Sequence, residues 1–181
     1  MKRISIIGSP GSGKSTLAGE MGRLLGIPCY HMDHVANTPD GKPRSKEAAQ
    51  ALIRQIVAGE RWIVEGHHYD DGDPRLMEAD TIVFLNLSRY LCLWRYARRT
   101  VKYYGRSSPG NYVTEKLNKD LLRGAKFVFL FPAATMPKIM KQIRGFEANK
   151  SVYVLPSPAE VERFKSGLRA PVPQQEHSFT G

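Results

Sequence analysis

The chain has 181 residues, of which 41% are hydrophobic and 24% charged, and its formal net charge is +10. This length and composition suit one globular domain with its own core and exclude the disordered and fibrous classes. The longest apolar runs, 81–85 and 127–131, are too short to span a bilayer. The N-terminus leads directly into a predicted strand and the chain has two cysteines, so we expect no signal peptide, no disulfide framework and a cytoplasmic location.

The positive charge is concentrated in one part of the sequence. Residues 89–150 carry 14 Lys and Arg and three acidic residues, whereas the rest of the chain has 13 basic and 14 acidic residues. A basic protein is a candidate for binding nucleic acid or another polyanion. Whether this basic stretch suits nucleic acid or another polyanion depends on where it lies among the predicted strands and helices.

Strand and helix patterns alternate from the N-terminus. Short apolar runs bounded by turn residues predict five strands, at 2–7, 29–32, 61–65, 80–87 and 151–155. Capping residues and apolar residues at helical spacing predict helices at 15–25, from Ser45 to Gly59, at 76–79, from Ser88 to about Tyr104, within 113–149 and at 158–165. We expect residues 1–169 to form one domain and residues 170–181 a flexible tail. This order predicts an α/β fold with a parallel sheet, helices on both faces, and ligands at the carboxyl ends of the strands.

A glycine-rich segment follows the first predicted strand. Residues 8–15, Gly-Ser-Pro-Gly-Ser-Gly-Lys-Ser, match the Walker A pattern between an apolar strand and an amphipathic helix. Glycines allow consecutive backbone N–H groups to surround a phosphate, and the following helix directs its positive end at the anion. We predict that Lys14 contacts the outer phosphates of ATP and that Ser15 ligates Mg²⁺. The predicted binding segment comprises Gly8, Ser9, Pro10, Gly11, Ser12, Gly13, Lys14, Ser15 and Thr16.

Two acidic residues follow the next predicted strands. Asp33 closes the second strand, where it could orient a substrate hydroxyl or hold metal-bound water, or be a surface residue of a loop. Glu65 ends the third strand, where an acid commonly completes the magnesium shell, although it could also begin a turn. We favour the functional interpretation of both. A zinc cluster is less favoured, because no named zinc pattern fits the spacing of the nearby histidines, His31, His34, His67 and His68.

A basic helix is predicted after the fourth strand. Arg95 and Arg99 share one face of it, and the following segment, 105–112, contains the glycines and proline of a hinge. Phosphoryl transfer spreads negative charge over the transferred group, and mobile arginines stabilise that charge when a lid closes. The pattern favours a lid at about 98–125, but a solvated basic helix or a nucleic-acid surface with stacking tyrosines fits the same residues.

These motifs resemble those of the P-loop kinases related to adenylate kinase, and more specifically the bacterial DNA topology modulation proteins of the FlaR type. The resemblance covers about residues 2–166. It is carried by the phosphate loop, Tyr-His-Met-Asp at 30–33, Trp-Ile-Val-Glu-Gly at 62–66, Arg-Leu at 75–76, the strand at 79–85 and Leu-Cys-Leu-Trp-Arg at 91–95.

The resemblance implies a three-layer P-loop fold with a five-stranded parallel sheet in the order 2-3-1-4-5 and a helical lid. It also implies ATP on the phosphate loop with Lys14 and Ser15 contacting ATP and Mg²⁺, an acceptor facing Asp33, and Arg95 and Arg99 serving the nucleotide and the lid. Two segments depart from the family. Relatives usually carry Asp-Gly-Asn-Tyr where this chain has Glu-Gly-His-His-Tyr at 65–69, and residues 106–111 lack the expected Arg-Pro-Asp, so no lid role is assigned to Arg106.

The sequence therefore predicts an ATP- and Mg²⁺-dependent kinase of a small molecule, of the nucleotide or nucleoside type. Lys14, Asp33, Arg95 and Arg99 are its predicted catalytic residues, and Ser15 and Glu65 its predicted metal ligands. Shikimate-, gluconate- and nucleotide-type acceptors all fit the pattern. The alternative is an ATP-binding regulator that contacts DNA through the basic surface at 89–150. No membrane partner is expected, and both a monomer and a homodimer fit.

Overall fold

A five-stranded sheet forms the centre of the protein. The computed structural model describes residues 1–67, 72–108, 110, 112–114 and 118–169. The strands are β1 (Arg3–Gly8), β2 (Cys29–His31), β3 (Trp62–Gly66), β4 (Thr81–Leu85) and β5 (Ser151–Leu155). Neighbouring strands pair in parallel in the order β2-β3-β1-β4-β5. The predicted parallel sheet and its 2-3-1-4-5 order are confirmed.

Helices connect the strands. They are α1 (Lys14–Leu25), α2 (Met32–Ala36), α3 (Lys46–Val57), α4 (Pro74–Glu78), α5 (Arg89–Lys102), α6 (Lys119–Ala134), α7 (Met136–Arg144) and α8 (Pro158–Arg169). The predicted caps hold at Gly26, which ends α1 in the left-handed conformation, and at Ser45, whose hydroxyl accepts from the Ala48 backbone N–H at 3.2 Å. Ser88 takes the N-cap position of α5, but its side chain makes no capping hydrogen bond.

Some predicted boundaries were wrong. The segment after β2, predicted as a polar loop, begins with α2, so the strand ends at His31 and not at residue 32. Five residues are too few for a clear helical pattern, and the sequence signal of α2 is correspondingly weak. Strand β4 ends at Leu85 and not at residue 87, and α8 continues to Arg169, beyond the predicted end at 165. The predicted tail, 170–181, lies outside the described residues.

Both faces of the sheet are covered, because successive residues of a strand point to opposite sides. On one face, Val64 and Phe84 belong to a core that includes Ile53 of α3 and residues of α6 and α7. On the other face, Ile63 packs with Leu17 and other residues of α1, and α8 covers the edge of that core. The central strands are almost fully buried, whereas β2 and β5 at the edges are half-exposed. The predicted three-layer P-loop architecture is confirmed.

One charge of the basic stretch supports the fold. The Lys150 ammonium donates to the carbonyl oxygens of Leu76 at 2.8 Å and Ala79 at 2.9 Å, at the end of α4. A helix end leaves such carbonyls without intrahelical partners, and a cation there also interacts favourably with the helix dipole. Burial lowers the pKa of Lys150 below its ordinary value. This lysine is therefore used to fix α4 against β5.

The helices give no indication of membrane insertion. Within the described ranges, none combines the length and the apolar composition that crossing a bilayer requires.

Candidate active site

The phosphate loop joins β1 to α1 in a conformation that depends on glycine. Gly8, Gly11 and Gly13 have φ values of +154°, +76° and +95°, which L side chains rarely adopt. A Cβ built on Gly11 would lie 2.2 Å from the carbonyl oxygen of Cys92, so the loop packs directly against the backbone of α5. The helix α1 begins at Lys14, and its N-terminal backbone N–H groups therefore point into the loop.

Lys14 lies over this loop. Its ammonium donates to the Ser9 carbonyl oxygen at 2.9 Å, and 7% of the residue is exposed. Burial lowers the pKa of Lys14, although the nearby carboxylates Glu65 and Asp33 oppose that shift. The lysine is a point charge held where an outer phosphate of a nucleotide on the loop would lie.

Glu65 and Ser15, the two residues predicted as metal ligands, meet beside the loop. The Ser15 hydroxyl donates to Glu65 Oε1 at 2.9 Å, and His31 Nδ1 lies 2.7 Å from the same oxygen. Burial raises the pKa of Glu65, but the His31 hydrogen bond, the Lys14 charge and the Ser15 hydroxyl outweigh it and leave that pKa below its ordinary value. An ionised carboxylate adjacent to a hydroxyl is the hard-oxygen donor set that Mg²⁺ prefers, so the two residues fit this metal.

His67 is a site residue that the sequence argument did not assign. Its Nδ1 lies 3.2 Å from the carbonyl oxygen of Gly8, and its ring packs edge-on against Phe127. Burial, aided by the Lys14 charge, lowers its pKa to about 3, so the imidazole is neutral and Nδ1 donates to Gly8. The adjacent His68 lies outside the described residues. At His67 the segment 65–69, which departs from the family that the sequence resembles, therefore places a neutral histidine against the phosphate loop.

Two arginines of α5 face the loop. Arg95 Nη1 donates to the carbonyl oxygen of Ser12 at 3.4 Å, and Arg99 lies one turn further along the same face. The opposite side of the helix faces solvent. There Arg98 is exposed, and its Cζ lies 5.2 Å from the centroid of the exposed Trp94 ring. The basic helix thus presents one pair of arginines to the loop and others to solvent.

Two described residues after α5, Gly110 and Tyr112, lie against the opposite side of the cleft. A Cβ built on Gly110 would lie 3.0 Å from His31 Nδ1, and the Tyr112 ring stacks on His34 with centroids 3.9 Å apart and planes at 16°. Both histidines belong to the segment that contains Asp33. Part of the predicted lid region therefore contacts the opposite wall of the cleft.

The predicted site residues converge on one cavity of about 430 Å³. Its lining includes Asp33, Glu65, Arg95, Arg99 and, from the phosphate loop, Pro10, Gly11, Gly13, Lys14, Ser15 and Thr16. Gly8, Ser9 and Ser12 are buried in the loop and do not line this cavity. The arrangement brings together oxygen donors for a metal, cations for phosphates and a carboxylate that could accept a proton.

A second cavity, of about 480 Å³, lies between α2, α3 and the start of α4. Its lining includes two arginines that the sequence argument did not assign, Arg54 and Arg75. Asp33 and His67 line both cavities. The only sequence signal for Arg75 was its place in a segment of the family resemblance, and Arg54 gave none, because an arginine on a helix face is ordinarily a solvated residue.

We expect the free energy of unfolding of the metal-free protein to be greatest near pH 6.5. The pKa of His67 is lowered to about 3, so below about pH 6.5 the unfolded chain binds a proton there that the folded chain does not. The contribution of His67 to stability should fall by up to about 1.4 kcal/mol per pH unit between about pH 6.5 and its folded pKa of about 3. The hydrogen bond to Glu65 raises the pKa of His31, so the stability from that pair is present below about pH 6.5 and is lost as pH rises through the folded value.

Urea denaturation across this range measures the effect. His67→Asn should flatten the acidic side of the profile, and His31→Asn the basic side. An unchanged acidic slope in His67→Asn would contradict the assignment of that slope to His67.

The phosphate loop between β1 and α1, the parallel 2-3-1-4-5 sheet and the basic helix over the loop define a P-loop kinase-like domain. The chain belongs to the family described as AAA domain, whose family model matches residues 4–116, more than half of the sequence. The comparison with curated proteins gives no match.

Solved structures share the fold over nearly the whole chain. Shikimate kinase from Bacteroides thetaiotaomicron is 16% identical with a TM-score of 0.54, covering 93% of this chain and 99% of that one. Shikimate kinase from Acinetobacter baumannii in complex with shikimate is 13% identical with a TM-score of 0.52, covering 93% and 90%. A sugar kinase from a Janibacter species is 15% identical with a TM-score of 0.50, covering 92% and 93%.

Proposed function

We propose that the protein is an ATP- and Mg²⁺-dependent phosphotransferase that transfers the γ-phosphoryl group of ATP to a hydroxyl group of a small molecule. The observation that carries this proposal is the wall shared by the two cavities, where Asp33 faces both the phosphate-loop cavity and its neighbour. A nucleotide on the loop and an acceptor in the second cavity would meet at this carboxylate. The kinase-like fold supports the same class of reaction.

Each group has a role in an in-line transfer. The loop N–H groups and Lys14 hold the phosphates, and Ser15 and Glu65 would hold Mg²⁺, which neutralises charge on the β- and γ-phosphates when bound. The acceptor oxygen forms a bond to the γ-phosphorus, the bond to the β,γ-bridging oxygen breaks, and ADP leaves. The acceptor proton passes to Asp33, whose pKa is raised by burial and by the neighbouring Glu65 and which is therefore the stronger base.

Arg95 and Arg99 are assigned to the charge of the transferred group. Both project from α5 towards the loop, and a guanidinium there stabilises the equatorial oxygens in the transition state. We assign residues 98–125 to a lid, with hinge positions at Gly105 and Gly110, whose φ values are +77° and +80°. We further propose a relation to the adenylate-kinase-related, FlaR-type group, because the sequence at 91–95 resembles that group. In this chain the same segment supplies the Cys92 carbonyl against the loop and Arg95.

The test is release of ADP from Mg²⁺–ATP, measured with and without a panel of small hydroxylated molecules. Release that depends on one acceptor and on Mg²⁺ supports the proposal. Failure to bind Mg²⁺–ATP, or equal ADP release with every compound and with none, contradicts it.

The outer side of α5 favours a second candidate function, contact with DNA. Tyr90 and Trp94 are 68% and 57% exposed, and the Arg98 guanidinium stacks over the Trp94 ring. Aromatic rings beside positive charge form a platform on which single-stranded bases stack. DNA affinity should then fall steeply with salt, and charge reversal by Arg98→Glu and Lys102→Glu should weaken it at least about tenfold in fluorescence anisotropy. Binding that is indifferent to both changes excludes this function.

A further inference from the structure

The second cavity contains an arginine whose hydrogen-bonding groups are not all used within the protein. The side chain of Arg75 is 3% exposed, and its Nη2 donates to the carbonyl oxygen of His67 at 2.6 Å. Its Nε lies 3.0 and 3.1 Å from the two carboxylate oxygens of Asp73. Nη1 is buried and has no hydrogen-bond partner in the described part of the chain. A buried guanidinium N–H group without a partner costs stability, which a ligand that supplies an acceptor recovers.

Arg54 adds a second cation to the same cavity. It projects from α3, is exposed, and forms no ion pair with any described residue. Of the two acids among the described residues of the cavity wall, Asp73 pairs with Arg75, whereas Asp33 also faces the phosphate-loop cavity. Away from Asp33, the charged groups that the described wall offers a ligand are therefore the guanidinium groups of Arg54 and Arg75.

The rest of the wall suits a small organic molecule. Met32, Ala36, Ile53 and Pro74 supply apolar surface and Gln50 an amide. A cavity of about 480 Å³ with apolar walls and a few convergent polar groups is typical of a small-molecule site. Guanidinium groups match the geometry of carboxylate and phosphate oxygens.

We infer that the phosphoryl acceptor carries an anionic group, a carboxylate or a phosphate, which Arg54 and Arg75 bind while the acceptor hydroxyl lies at Asp33. This inference rests on the proposed phosphotransferase function and specifies its substrate class. The pair of Asp73 with Arg75 fixes the guanidinium, so the anion determines how the acceptor is oriented before transfer.

Matched pairs of compounds test the substrate class in the full chain with Mg²⁺–ATP. The panel contains hydroxy acids with their amides, sugar phosphates with the free sugars, and nucleoside monophosphates with the nucleosides. In each pair, the anionic member should be the only one that stimulates ADP release, or its kcat/KM should be at least about 100-fold higher. ADP release with the hydroxy acids is then compared with ADP release with the two phosphorylated classes. The more active class shows whether the site recognises a carboxylate or a phosphate.

Variants of the cavity arginines test the site itself. Arg54→Gln should raise KM for the anionic acceptor about 10- to 100-fold with little change in KM for ATP. Lys46→Gln, which removes an exposed cation from the same helix without touching the cavity, should leave both KM values unchanged. Arg75→Lys serves as a second variant, with circular dichroism to confirm folding, and should raise the acceptor KM in the same way.

The outcomes separate this inference from the function on which it rests. Efficient turnover of uncharged acceptors, or an acceptor KM that Arg54→Gln and a folded Arg75→Lys leave unchanged, overturns the inference and leaves the phosphotransferase standing. A protein that does not bind Mg²⁺–ATP, or that releases ADP equally without any acceptor, overturns the function, and the inference with it.

Discussion

The Lys14→Ala protein is expected to lose acceptor phosphorylation, with kcat lowered by roughly 10²–10³-fold and a weakened affinity for ATP. The ammonium is the one lysine charge on the wall of the phosphate-loop cavity within the described residues. Without it, the charge that develops on the γ-phosphate loses its nearest point cation. ADP release and binding of a fluorescent ATP analogue measure the two effects.

Two further variants make this result specific. Lys126→Ala removes an exposed lysine of α6 and should leave turnover unchanged, because bulk positive charge does not stabilise the reacting group. Asp33→Asn should lose transfer but keep ATP binding, because this carboxylate faces the acceptor. Full phosphotransfer by a folded Lys14→Ala protein would falsify the assignment of the site.

The phosphate loop and the sheet could be predicted because their signals are local. The loop needs glycines at fixed positions, a lysine and a hydroxyl, and a buried parallel strand needs only a short apolar run. The carboxyl ends of such strands meet at one edge of the sheet, so Asp33 and Glu65 could be predicted to lie near Lys14. The structure places all three on one cavity.

The sequence could not predict the roles of four residues, His31, His67, Arg54 and Arg75. Each role depends on contacts with residues of other elements, which no local sequence pattern reveals. His67 becomes a neutral donor to Gly8 only when β3 lies beside β1 and burial lowers its pKa. The Arg75 side chain is 3% exposed and its Nη1 has no hydrogen-bond partner among the described residues, and both are properties of packing. Helix α2 is too short to leave a periodic pattern, yet it positions Asp33.

For the basic stretch at 89–150, too, local sequence patterns predicted one part of the structure, and contacts between distant residues determine the rest. The charge of this stretch suggested either a lid or a nucleic-acid surface, and helix periodicity placed Arg95 and Arg99 on one face. Which face turns to the phosphate loop is decided by a backbone contact, that of the Cys92 carbonyl with Gly11. This contact leads to the second prediction with a large effect.

Gly11→Ala is expected to destabilise the protein by about 2–5 kcal/mol and to abolish binding of ATP. The new Cβ would lie 2.2 Å from the Cys92 carbonyl oxygen and 3.2 Å from the Tyr96 backbone nitrogen, and the φ of +76° is strained for alanine. Both contacts are with backbone, so a side-chain rotation cannot relieve them. Either the loop or α5 must move, and with it the alignment of Arg95 with the phosphates. Urea denaturation and nucleotide titration measure the two losses.

Gly19→Ala is the matched control for this prediction. Gly19 lies in α1, five residues after the start of that helix, and a Cβ there meets nothing within 4 Å. Alanine is the better helix former, so this variant should gain up to about 1 kcal/mol in the free energy of unfolding and keep its affinity for ATP. If Gly11→Ala and Gly19→Ala behaved alike, the contact between the loop and α5 would not control the site. If only the first loses nucleotide binding, the loss comes from the loop conformation and the packing against α5 at Gly11 and not from adding a methyl group in this part of the chain.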